Sequence, residues 1–373
     1  MWALSRDRSV KISMLMAHGI RNLAPVQLEP RERFNVFVGQ NGQGKTNLLE
    51  AIYVVATLRS FRTSRLADLI AFDRTDAQLG ARVEREGMSR IYQVELAPGT
   101  RRVLLDSKAV RPIARYFGAF NVVVFTPEDL ALPRGSPSDR RKFLDRAVFN
   151  QGADYLVAMQ DFEKVLKQRN TVLKQAAQGL AAQRVDDLLE VYDEQLAPLA
   201  SMIANTRAAF VERIRGPLET AFQAIARSPH RANVRYVSKT AGLTVEAIRA
   251  HLHETHARDL ATESTQSGPH RDDLAFELDD RAAGDFASQG QLRAIMLAWK
   301  TAELELLAKA HDELPILLLD DVSSELDPSR NAYLFEHLAN QAGQCFITTT
   351  SEGHVLLSRD RADYRIENGQ ISS

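Results

Sequence analysis

Cysteine is almost absent from this 373-residue chain. Cys345 stands alone, so no disulfide framework can staple the fold, and a reducing compartment is expected. No stretch approaches the roughly 18 consecutive apolar residues that a membrane span requires. Residues 1–10, MWALSRDRSV, lack the apolar centre of a secretory leader. There is no internal repeat and no low-complexity tract. A cytoplasmic protein without a membrane partner is therefore expected. What is present is an ordinary globular balance, 45% hydrophobic and 25% charged. At about 150 residues per domain, the length suggests two to three domains.

Net charge is also small, at -1, but it is unevenly spread. Residues 1–150 carry 24 Lys and Arg against 15 Asp and Glu, whereas 151–373 carry 23 against 33. A basic half can mark a face for polyanions, or it can be fluctuation along a solvated surface.

Three regions differ in pattern. In the first, Val10, Ile12, Met14 and Met16 alternate like a half-buried strand. Phe34–Val38, Gln78–Glu84, Arg90–Leu96 and Arg101–Leu105 read as further strands, and Val122–Phe125 as one buried on both faces. In the middle, apolar residues recur at helical spacing, predicting antiparallel helices over roughly 138–226 with a reversal within 174–187. The last region alternates: strands at Leu274–Leu278, Ile316–Leu319 and Cys345–Thr349, helices at Gly290–Ala310 and Pro328–Gln341. Asp327 is placed to cap the second of these helices. Glu367-Asn368-Gly369-Gln370 reads as a hairpin turn.

Gly39-Gln40-Asn41-Gly42-Gln43-Gly44-Lys45-Thr46 fits G-x-x-x-x-G-K-[ST] in full. It follows a predicted strand and opens a predicted helix over 47–58, the context that the motif needs. Glycines let the backbone wrap a phosphate chain with its N–H groups turned inward, and the helix N-terminus adds positive potential. Lys45 is suited to the β/γ-phosphates, and Thr46 to Mg²⁺. Pro315–Asp321 supplies the acidic partner. Its buried strand ends in Asp320, a second metal ligand, and Asp321, placed to polarise an attacking water.

Lys45 and Asp320 are far apart in sequence, so the middle region is an insertion into one ATPase domain. The expected division is a discontinuous head, 1–130 with 262–373, and an inserted helical domain, 131–261. Ser288-Gln289-Gly290-Gln291 resembles the ABC signature, in which a Ser hydroxyl and a helix N-terminus grip the γ-phosphate bound to the opposite subunit. Ser324-Glu325-Leu326-Asp327 resembles a D-loop. Ser288, Gly290, Gln291 and Asp327 thus join the nucleotide-site candidates.

Longer patterns carry a closer resemblance. Pro127–Leu130, Gly135–Pro137 with Arg140–Asp145, Leu318–Asp327, Ser267–Asp273 and Arg59–Arg62 together resemble the RecF family of SMC/ABC-like ATPases, over nearly the full length. The resemblance implies an α/β ABC/SMC-type P-loop ATPase head with an inserted, mainly helical lever-arm domain. It implies ATP and Mg²⁺ as cofactors, an ATP-dependent homodimer, and slow ATP hydrolysis that resets it. It implies binding of single-stranded and duplex DNA at gaps, and work with RecO and RecR to load RecA. The departures are Asp321 where transporters carry Glu, and Thr349-Thr350 where they carry a switch His. No Q-loop Gln follows Val122–Phe125; Pro127-Glu128-Asp129 stands there instead. Two rival functions are a transporter's ATPase subunit and a scaffold that binds ATP without hydrolysing it.

Candidates for DNA phosphate contact are Arg59, Arg62, Arg65, Arg101, Arg102, Arg134, Arg140, Arg141 and Lys142. Arg140 and Arg141 could equally serve a helix start or an ion pair. Arg21 is either near the nucleotide or a plain surface residue. No groove-reading motif is present, so sequence specificity is not expected. His251, His253 and His256 lack H-E-x-x-H spacing and read as a solvated helix face.

Overall fold

The computed structural model describes residues 10–117, 120–150, 152–341 and 343–372. The leader reading above falls mostly on residues 1–9, outside the described residues. The chain divides into two compact units, one of residues 1–131, 221–227 and 293–373, the other of residues 132–220 and 228–292.

The first unit holds two six-stranded sheets. One runs β15 (Gln370–Ser372), β14 (Arg361–Glu367), β3 (Phe34–Val38), β13 (Cys345–Thr349), β12 (Ile316–Asp320) and β8 (Val122–Phe125). Its five inner neighbours from β14 to β8 are parallel, and β15 closes it as an antiparallel hairpin. β8, β12 and β13 are buried along their whole length; β8 (VVVF), the first four residues of β12 (ILLL) and the start of β13 (CFI) are accordingly apolar, and the buried polar residues Asp320, Thr348 and Thr349 come at the strand ends. The other sheet is antiparallel: β2 (Val26–Leu28), β1 (Lys11–His18), β4 (Ala77–Arg85), β5 (Met88–Ala97), β6 (Thr100–Leu105) and β7 (Lys108–Ala109). Helix α1 (Lys45–Thr57) contributes Leu48, Leu49, Ile52, Val54 and Val55 to a core shared with both sheets.

The expected alternation in β1 changes face partway. The pairing with β4 shifts register between Ile12 and Met14. Leu15 and Ala17 are therefore buried, and Met14 and Met16 are only half-buried, because an extra residue in a strand turns the following side chains over.

In the second unit, α3 (Pro137–Phe149), α4 (Ala153–Ala177) and most of α5 (Ala182–Ala226) are the helices expected over 138–226. α6 (Val245–Glu254), α7 (His256–Thr262) and a sheet of β11 (Arg281–Ala282), β10 (Asp273–Leu278) and β9 (Ala232–Val237) complete it. Residues 262–292, read from sequence as part of the head, belong here instead. The reason is physical: β10 pairs with β9 along its whole length, and Arg140 on α3 clamps Asp273 with two bonds of 2.8 and 2.7 Å. α8 (Ala283–Phe286) leads into α9 (Gln289–His311). α2 (Pro127–Leu130), α10 (Val322–Glu325) and α11 (Pro328–Gln341) lie in the first unit's chain segments. No described helix is long and apolar enough to cross a membrane.

A buried guanidinium ties the second unit's helices together. Arg169 on α4 donates to Asp193 on α5 and Asp259 on α7, each at 2.7 Å, and to Thr265 at 2.8 Å. His256 reaches the other Asp193 oxygen at 2.7 Å. Arg169→Met would leave two buried carboxylates without their cation. It is expected to cost about 3–5 kcal/mol in denaturant unfolding of this unit; a loss below about 1 kcal/mol would contradict the assignment.

Candidate nucleotide site

The Gly39–Gly44 loop joins the end of β3 to the start of α1; close packing calls for glycine at 39 and 44, and a positive φ of +81° at 42. A Cβ on Gly39 would stand 2.4 Å from the Ile366 carbonyl oxygen. Gly44 has φ +107°, and a Cβ there would meet Leu23 at 2.9 Å. The C-terminal hairpin holds the loop from outside. Asn368 N–H donates to Gln43 Oε1 at 2.5 Å and Gly369 N–H to Gln43 O at 3.0 Å. Asn22 adds a bond to Gly42 O at 2.8 Å and receives one from Asn47 at 2.6 Å.

Lys45 lies back across the loop, its Nζ donating to Gly39 O at 2.6 Å and Gln40 O at 3.0 Å. Burial lowers its pKa, opposed by Asp321 and Asp320. Thr46 Oγ1 donates to Asp320 Oδ1 at 2.9 Å. The same carboxylate oxygen accepts from Thr348 Oγ1 at 2.8 Å. Strand register causes the meeting: Asp320 pairs with Thr348, and Thr348 with Phe37, one residue before the end of β3. Burial raises the Asp320 pKa; the Thr348 and Thr46 hydroxyls pull it down, and Glu128 and Asp321 push it further up. Glu128 lies on α2, in the stretch that stands where a Q-loop would.

Asp321 follows in the left-handed region, φ +50°. Its N–H donates to Thr348 O and Oγ1 at 3.1 and 3.0 Å. Its Oδ1 is buried and has no hydrogen-bond partner among the described residues. One hydroxyl and one carboxylate in contact fit Mg²⁺, which binds through few protein ligands and keeps phosphate and water oxygens. Among the described residues, no three carboxylates, imidazoles or thiolates gather as a metal cage of their own.

Ser288, Gly290 and Gln291 belong to the second unit. Gln291 N–H donates to Ser288 Oγ at 3.2 Å, and Ser288 N–H to Gln291 Oε1 at 2.8 Å, a reciprocal cap at the start of α9. Asp327 caps α11 through the N–H groups of Ser329 and Arg330, both at 3.1 Å. Partial burial works against its charge, but those bonds and the Arg330 guanidinium hold its pKa down to about 2. Thr349 is taken up by Ser351, its hydroxyl donating to Ser351 O at 2.9 Å.

The basic candidates divide between the units. In the first, Glu50 on α1 is fully buried and receives Arg21 at 2.7 and 3.0 Å, Arg62 at 3.3 Å, and the Ser60 hydroxyl. Arg62 also bonds Asn47 at 2.8 Å. Arg101 is held by the Leu58 carbonyl at 3.1 Å, and Arg59 is half-buried. Arg65 and Arg102 are exposed, with weak pairs to Asp68 and Glu95 at 3.5 Å. In the second, Arg140 is committed to Asp273 and Arg141 bonds the Asp272 carbonyl at 2.8 Å; Lys142 is exposed. Sequence reasoning passed over Thr348, Asn22 and Glu50. Only Glu50, an acid inside the apolar run LLEAIYVV, carried a visible signal.

A P-loop on a parallel sheet, an acidic strand end beside it and a long helical insertion define an ABC/SMC-type P-loop ATPase head with a helical insertion. The RecF/RecN/SMC N terminal domain family matches residues 11–372. A "DNA replication and repair protein RecF" from Citrifermentans bemidjiense is 40% identical over 97% of this chain and 100% of its own. Another from Myxococcus xanthus is 41% identical over 97% of both. A solved structure of "the recombination mediator protein RecF-ATPrS in RecFOR pathway" superposes with a TM-score of 0.87 at 29% identity, over 99% of each chain. The chain belongs to the RecF family.

Two outcomes test the geometry. Gly369 has φ +77°, and a Cβ there would stand 2.0 Å from Asn22 O, so Gly369→Ala should shift the loop and weaken ATP binding about tenfold by titration with a fluorescent analogue. Unchanged affinity would show that the hairpin does not set the loop. Because the Asp320 pKa is raised above the ordinary 3.8, its charged form is lost at a higher pH than for an exposed Asp. Mg²⁺-dependent nucleotide binding should therefore weaken early as pH falls, and Asp320→Asn should abolish that pH dependence.

Proposed function

We propose that this protein is an ATP-dependent DNA-binding factor of recombinational repair and replication, and that two copies pair around ATP to engage DNA at single-strand gaps. The observation that carries the reading is the Thr46–Asp320–Thr348 corner beside a complete P-loop. The names of the relatives support the biological setting. On this reading RecO and RecR are its partners in loading RecA, and it acts in the cytoplasm.

The roles follow from the side chains. Lys45 exchanges the Gly39 and Gln40 carbonyls for phosphate oxygens, and the N–H groups of Asn41–Thr46 turn toward the phosphate chain. Thr46 and Asp320 hold Mg²⁺, whose chemistry when bound is to neutralise phosphate charge. Asp321, with its unpartnered Oδ1, orients a water and takes its proton. Its short side chain suits slow turnover. Ser288, Gly290 and Gln291, at the capped start of α9, meet the terminal phosphate held by the other protomer. Asp327 keeps the D-loop in register. Loss of the shared phosphate on hydrolysis removes the contact that binds the pair, so ATP acts as a timer.

Arg59, Arg62, Arg65, Arg101 and Arg102 in the first unit, with Lys142 in the second, are the proposed DNA phosphate contacts. Arg140 and Arg141 contribute less because their guanidinium groups are already engaged, and Arg62 and Arg101, held by Glu50 and the Leu58 carbonyl, contribute less for the same reason. No observation favours the transporter reading.

Fluorescence anisotropy with labelled gapped DNA tests this. Affinity should be at least several-fold higher with Mg-ATP than with Mg-ADP, and should fall steeply with salt. Lys45→Met should remove the ATP effect and weaken ATP binding itself. Asp321→Asn should retain ATP binding while phosphate release drops to background. Equal DNA affinity in every nucleotide state would refute the reading.

A further inference from the structure

One aromatic side chain is held out in solvent beside the signature. Phe286, the last residue of α8, is 67% exposed, yet its mount is rigid. Arg134 donates Nε to Gly284 O and Nη2 to Ala287 O, both at 3.0 Å, clamping the backbone on either side of it. Gly284 lies so close to Pro133 that a Cβ would stand 2.5 Å from the Pro133 carbonyl oxygen. The Arg281 guanidinium lies over the ring, 5.7 Å from its centroid. Two residues later Ser288 caps α9. Arg134, a DNA candidate by sequence, is thus spent on presenting a phenylalanine.

We infer that Phe286 is a stacking platform for the purine base of the nucleotide bound to a second copy of this chain. The inference rests on the reading of Ser288 as a contact to the partner copy's terminal phosphate. In a nucleoside triphosphate the base lies a phosphate chain and a sugar away from the terminal phosphate. Two residues of chain reach up to about 7 Å, and the Phe side chain extends further, so a ring at position 286 is able to span that separation from Ser288. An exposed ring with a cation beside it and its backbone clamped is suited to stacking on another π-system. Pairing then reads the base as well as the phosphate.

Sedimentation velocity at saturating Mg-ATP or Mg-CTP tests this on the full chain, for wild type, Phe286→Ala, Phe286→Tyr and Ser288→Arg. Wild type should pair at lower protein concentration with ATP than with CTP. Phe286→Ala should weaken ATP-driven pairing about tenfold or more, from the usual worth of a base–aromatic stack, and lose the preference for ATP. Phe286→Tyr should keep both. Pairing of Phe286→Ala with ATP as tight as wild type would overturn the platform. So would equal losses with ATP and CTP, which would mean that the ring touches protein rather than base. Normal pairing of Ser288→Arg would instead overturn the underlying reading of the signature.

Discussion

A hydroxyl and a carboxylate that are 274 positions apart in the chain meet at 2.9 Å, and the candidate site exists because they do. Neither Thr46 nor Asp320 can reach the other unless β3, β13 and β12 lie side by side in one parallel sheet, in one register. A slip of one residue would turn Asp320 to the opposite face. Phe37, Leu318 and Phe346, one from each of these strands, lie together in the core that the sheet shares with α1. Thr348 then becomes a third member of the corner without any feature of its own sequence announcing it. The carboxylate sits where burial disfavours its charge, a cost that a divalent cation would offset.

Buried charge recurs as a device for holding parts of this molecule in place. Glu50 gathers Arg21, Arg62 and Ser60 beneath the loop that follows α1, so the basic segment 59–65 is fixed to the same helix that starts at Lys45. In the second unit, Arg169 gathers Asp193, Asp259 and Thr265. Arg207 gathers Asp145 at 2.8 Å, Tyr155 at 2.9 Å and the Pro269 carbonyl at 2.7 Å. Such clusters add little net stability over a well-packed apolar core, but losing one member is costly. Here their effect is directional: they fix which helices meet.

The legible parts of the sequence were those where chemistry or burial leaves few choices. The P-loop was readable because wrapping phosphate demands glycines at fixed spacings, and β8, β12 and β13 because strands covered on both faces are mostly apolar. The same logic reached α4, α5 and α9. It missed β9, and at α6 and α7 it reached only a solvated helix face, because these bury few side chains: Ile248 and Leu252 on α6, Ala232 and Val234 on β9; His256 is held by the buried Asp193 rather than solvated. It also failed in β1, where a bulge reversed the faces. Pairing partners are not written in local periodicity. The pairing of β10 with β9 has no mark in the sequence, and of the readings open for Arg140, phosphate contact, helix start or ion pair, the structure shows the ion pair with Asp273.

The role of this site depends on whether the Thr46–Asp320 corner holds the metal of a bound triphosphate. Replacing Mg²⁺ by Mn²⁺ makes that directly visible by pulsed electron paramagnetic resonance. Phosphorus couplings to protein-bound Mn²⁺ are expected in the presence of ATP, and should be lost in both Thr46→Val and Asp320→Asn. Phosphorus couplings that persist unchanged in both variants would contradict that role.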